Sequence, residues 1–347
     1  MENPDLLANA IRSGSLAALP PSELAPERLT VRNASGNTPL HLAAKHGRLR
    51  DLPASVLTAE NLTIRNDAGY TPLHHAAIGG HLDQISPDLL TVEALSSRSN
   101  AGITVFHLAA AHGHLPQIPA AFLTADAVLR KTDVGNTLLH EAVENGMLDR
   151  LPPGFLTAEN VALKNLGGES VLHVAAFNGH LDQLPAGLLT AAALRDSTSS
   201  GDTVFHAAAI SGHLGQIPAP LLTHDNLVVA SKSGFTAIHA AAETGQLDKI
   251  PAAQLTIELL LTRNDNGDTP LHAAAYEGHL DQVPRELLSL ETVGTRNYDG
   301  VSVARTAMER GFHEQIPDSA RPKTISPFRQ FLHYLGGFRV PFAGRDR

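Results

Sequence analysis

The chain has 347 residues, no cysteine and a formal net charge of −9. Lack of cysteine removes disulfides, thiolate nucleophiles and Cys-ligated zinc together, and an acidic body opposes nucleic-acid binding through its whole surface. Hydrophobic residues make up 43% and charged residues 18%, enough apolar material to exclude global disorder. No run approaches the ~18 apolar residues of a membrane span, and Glu2 and Asp5 stand where a signal peptide carries positive charge. A soluble, cytoplasmic, monomeric protein is expected, with secretion as an effector left open.

In chain order, residues 1–32 carry Gly14 and Pro20 in the register of the downstream repeats but lack their central motif. They read as an N-terminal capping half-repeat. From residue 33 the sequence repeats every 33 residues: His41, His74, His107, His140, His173, His206, His239 and His272 form one column. Glycines recur five residues before each histidine (Gly36 to Gly267) and six after it (Gly47 to Gly278). A proline column runs from Pro53 to Pro317, with Ser86 as its exception. Such a period marks a repeat architecture.

Each unit is readable from Asn33 to Gly47. Asn-x-x-Gly is turn chemistry, with glycine free to take positive φ. Thr38 suits an N-cap and Pro39 the first helical position. Leu40, Ala43 and Ala44 form an apolar stripe at helical spacing, and Gly47 is a left-handed terminator. Beyond it, Pro53 forbids a continuous helix. The reading is a short helix at residues 48–52, a turn at 53–57, and a second short helix capped by Thr58. Thr91, Thr124, Thr157, Thr190, Thr223 and Thr256 are its counterparts.

TPLHLAA at 38–44, TPLHHAA at 71–77 and TPLHAAA at 269–275, each followed by a glycine and an apolar pair, resemble the ankyrin repeat. TVFH, TLLH, SVLH and TAIH are milder variants, and the proline column departs from the family's unbroken second helix. The resemblance spans residues 33 to about 317. It implies an all-α ankyrin-repeat solenoid that contacts other proteins, with the motif histidine bonded to the threonine and nearby backbone. Expected boundaries are eight repeats over 33–296, a degenerate terminal repeat over 297–320 with Arg305 in the histidine position, and a basic aromatic cap helix and tail over 321–347.

Nineteen histidines raise the question of a metal. Equivalent residues on stacked helices lie roughly 8–10 Å apart, whereas zinc–nitrogen bonds are about 2 Å, so one histidine per unit does not converge on an ion. A second column, His81, His114, His180, His213 and His279, reads as structural too. No nucleophile elbow, HExxH or phosphate loop occurs. Neither catalysis nor a cofactor is expected.

The positions that vary while the frame stays fixed are candidates for partner contact: Tyr70, Ile78, Ile103, His112, Phe177, Ile210, Phe235 and Tyr276. The expected function is a non-catalytic scaffold for another protein of unknown identity. The alternatives are a translocated effector, or an adaptor docking to an anionic membrane or RNA through the C-terminal segment, where residues 320–347 hold six Lys or Arg against one Asp.

Overall fold

The computed structural model describes residues 4–321. They form helices and 3-10 turns linked by turns, and among them the β pairing consists of the isolated bridges Lys164–Ser170, Ala230–Thr236 and Arg296–Ser302. The chain divides into two compact units, the first ending at Ser199 and the second beginning at Ser200.

The first unit opens with the helix Pro4–Ser13 and continues through first helices at Pro39–His46, Pro72–Gly79, Val105–Ala111, Leu138–Glu144 and Val171–Asn178. The second carries Val204–Ile210, Ala237–Glu243, Pro270–Glu277 and Val303–Arg310. Each helix packs on the equivalent helix of the next repeat in its unit. The alanine pairs make this close approach possible: Ala43–Ala44, Ala76–Ala77 and Ala109–Ala110 are fully buried, beside Leu40, Leu73 and Phe106. Small side chains bring helix axes together, and the large ones fill the space between helix and turn.

Downstream of each first helix the structure corrects the sequence reading. The expected helix at 48–52 is a single 3-10 turn, Leu49–Asp51, and the expected turn at 53–57 contains a second one, Ala54–Val56. Between them Leu52 is extended, at φ −93° and ψ 154°, because a residue preceding proline is driven out of the helical region. Ser86 takes the same backbone conformation as Pro53, so the one break in the proline column leaves the path unchanged. The short helix Ala59–Leu62 follows, with Thr58 Oγ1 accepting from the Asn61 N–H. Thr91, Thr124, Thr157, Thr190 and Thr256 cap in the same way. Thr223 does not; there the His224 N–H donates to Gln254 Oε1 at 3.2 Å.

Two further devices join neighbouring repeats. The Asx turn at Asn66 accepts from the N–H groups of Ala68 and Tyr70, and the tip it builds is tied to the tip before it by Asp67 N–H to Ser35 O at 3.2 Å. Gln84 clamps the preceding repeat: its Oε1 accepts from Leu49 N–H at 3.1 Å and its Nε2 donates to Gly47 O at 3.0 Å. Gln117, Gln282 and Gln315 repeat both bonds.

Candidate functional site

The histidine column holds the frame beneath the candidate surface. Thr38 N–H donates to His41 Nδ1 at 3.1 Å, and Thr38 Oγ1 lies 2.9 Å from the same nitrogen. Because Nδ1 accepts an N–H, the ring proton sits on Nε2, which donates to Tyr70 O of the next repeat at 3.1 Å. His74 reaches Ile103 O, His140 Glu169 O, His206 Phe235 O, His239 Asp268 O and His272 Val301 O in the same manner. His107 is the exception and donates to Arg130 O at 3.1 Å. At His173 the Ser170 N–H likewise donates to Nδ1.

Each of these imidazoles is neutral, buried and committed to the frame through its ring nitrogens. Burial, the largest influence, pulls His74, His107, His140 and His239 down to about 4 and also lowers His41 and His272. The rings staple neighbouring repeats together. In the second histidine column the rings lie over the helix-ending glycine of the preceding repeat: a Cβ on Gly47 would meet the His81 ring at 2.8 Å. Arg305, in the histidine place of the last repeat, is exposed and pairs with Glu309 at 2.7 Å.

His75 differs. It sits one place after the motif histidine, where other repeats have Leu42, Leu108, Val174 or Ala240. Its ring packs edge-on against His41 at 5.4 Å and against Tyr70 at 6.2 Å, and both its nitrogens are buried without a hydrogen-bond partner. Burial lowers it to about 4, with His41, Lys45 and His74 acting in the same direction.

Of the eight candidate contact residues, His112 and Phe177 are exposed, Phe177 by 55%. Tyr70, Ile78, Ile103, Ile210, Phe235 and Tyr276 are half-buried. Tyr276 carries the Arg310 guanidinium 3.8 Å above its ring. Sequence reasoning expected contact at the turn tips but did not single out Val134 and Leu166: Val134 is 61% exposed and Leu166 76%, and the two are neighbours, since Leu166 N–H donates to Val134 O at 2.9 Å. For Leu166 the signal was an apolar residue following Asp67, Asn100 and Asp133 in its column. An apolar cleft of about 90 Å³ opens near Val161, Leu172 and Ala193. The basic aromatic segment 322–347 lies outside the described residues, and among those described no helix is long and apolar enough to cross a membrane.

No curated protein matches the chain. The family model described as ankyrin repeats in three copies matches residues 7–87, and the model of a single ankyrin repeat matches residues 266–293. One register of 33 residues runs through both stretches and through the helices between them; the chain carries ankyrin repeats.

Proposed function

We propose that the protein is a non-catalytic scaffold that holds a partner protein on its first-helix and turn residues. Ankyrin repeats are protein–protein interaction modules. In the first unit the contact residues are Tyr70, Ile78, Ile103, His112 and Phe177; in the second they are Ile210, Phe235 and Tyr276. The observation that carries this reading is Phe177, a large aromatic more than half exposed on a helix whose buried side is locked by His173 and two alanines. An aromatic ring held on a rigid helix contributes contact area at little entropic cost.

The test is capture of partners from the native lysate by the full chain, and by the variant Tyr70→Ser, Phe177→Ser, Tyr276→Ser. Partners held by the parent and lost by the variant, with both chains melting alike, support the surface. Equal capture by two equally folded chains removes these residues from the binding site.

A further inference from the structure

A second edge of the first unit presents positive charge in a regular row. Arg32, Arg65, Arg98, Lys131 and Lys164 stand one per repeat just before each turn. Each reaches the main-chain carbonyl one repeat on: Arg32 to Arg65 O at 2.8 Å, Arg65 to Arg98 O, Arg98 to Lys131 O at 3.2 Å, Lys131 to Lys164 O at 2.7 Å, and Lys164 to Ser197 O at 2.8 Å. Two of them also meet a carboxylate, Arg98 with Asp133 at 2.9 Å and Lys164 with Asp196 at 2.7 Å. The hydrogen-bond partners of Arg32, Arg65 and Lys131 are carbonyl oxygens and the Asn100 side chain. These three side chains are exposed, and Asp67 and Glu169 are carboxylates on the neighbouring tips that lie outside those two pairs, Glu169 accepting from Asn165 Nδ2 at 2.8 Å.

The row is prearranged. One carbonyl occupies a single donor site on a guanidinium that has five, and holding the side chain in place lowers the cost of ordering it when a ligand arrives. Successive cations are one repeat apart, roughly 8–10 Å. Three residues of an extended or polyproline chain span about 9–10 Å. The row is also narrow. Other rows of the same unit are acidic, Glu60, Glu93, Asp126 and Glu159 in one and Asp83, Asp149 and Asp182 in another, so a broad anionic surface would meet repulsion where a single strand would not. Apolar side chains flank the row at both ends: Val31, 61% exposed, at one and Val134 with Leu166 at the other.

We infer that this edge binds an extended acidic segment of a partner protein, with an acidic residue at every third place and apolar residues between. Arg65 and Arg98 reach Gly69 and Gly102, next to the contact residues Tyr70 and Ile103, but the variants that test the two proposals share no residue, so either can fail without the other.

The experiment uses the full chain and a labelled peptide of five Glu-Ala-Pro triplets, read by fluorescence anisotropy. A peptide of the same composition with its glutamates contiguous is the register control. Expected are binding that weakens with added salt, about tenfold preference for the triplet peptide, and about tenfold loss in the variant Arg32→Gln, Arg65→Gln, Lys131→Gln. The variant Arg50→Gln, Arg150→Gln, Arg285→Gln, which removes equal charge elsewhere, should bind like the parent. Equal affinity for the two peptides overturns the inference, and this comparison stands even where a variant does not fold. Unchanged binding by a triple variant that melts like the parent also overturns it. So does stronger, variant-sensitive binding to phosphatidylserine vesicles than to the triplet peptide, which would assign the row to a membrane.

Discussion

His75 shows what one side chain does in a frame that is otherwise uniform. Two buried imidazole nitrogens without partners cost about 1–3 kcal/mol in lost hydration, and Leu42 and Leu108 show that leucine fits the place. His75→Leu is therefore expected to stabilise the protein by about 1–2 kcal/mol, read as a raised urea midpoint at pH 7. A lowered midpoint would mean that the ring contacts with His41 and Tyr70 outweigh the unmet nitrogens. The helix-ending glycines separate backbone strain from crowding. Gly47 has φ 66° and lies under the His81 ring, whereas Gly113 has φ 78° with nothing within 4 Å of a Cβ. Gly113→Ala should cost about 1 kcal/mol of left-handed strain, and Gly47→Ala more, because His81 must also move.

At the scale of the element, the glutamine clamp explains two departures in its column. Arg150 and Lys249 stand where Gln84 and Gln183 stand in their own repeats. In the second case Gln246, buried three residues earlier, takes over, accepting from Leu214 N–H at 2.7 Å and donating to Ala209 O at 2.6 Å. Arg150 has no side-chain oxygen to accept with, and its ion pair with Asp149 at 3.2 Å is exposed, worth little. Arg150→Gln should thus gain about 1 kcal/mol, while Lys249→Gln should leave thermal unfolding unchanged; equal effects at the two sites would contradict the clamp.

These elements also show what was legible in the sequence. Thr38, Pro39, Leu40 and Gly47 specify the first helix locally, each through its own backbone preference, so its limits could be read directly. The path from Leu49 to Val56 could not, because a proline announces a break without saying whether a turn or two 3-10 turns surround it. Arg32, Gln84 and Leu166 were visible as columns of the repeat. Their partners lie one repeat away in space, and a period shows recurrence without showing contact. For the candidate surface, Phe177 was readable as a residue that varies on a fixed frame. The half-burial of Ile78 and Ile210 depends on neighbours that only the folded unit supplies.

For the whole molecule, buried neutral histidine sets the response to acid. His74, His75, His107, His140 and His239 are each held at about 4, chiefly by burial, against 6.5 in an unfolded chain. Between those values the unfolded chain carries more protons than the folded one, so stability rises with pH. Their contribution is complete above 6.5 and is lost as pH falls toward 4. The geometry agrees, because a proton on Nδ1 of His74, His107 or His140 would displace the threonine N–H that donates there. Near pH 5 each group costs about 2 kcal/mol, and four of the five lie in the first unit, where their combined cost is of the same order as the ~5–15 kcal/mol that holds a typical domain.

The measurement that reaches this account most directly is circular dichroism at the helical band as pH is lowered from 7.5 to 4. The stapled frame predicts a steep loss of helix between about pH 6 and 4.5, with several protons taken up on unfolding. A chain that keeps its helices and its melting temperature unchanged to pH 4 would contradict it, since imidazoles that accept protons without cost are not holding the repeats together.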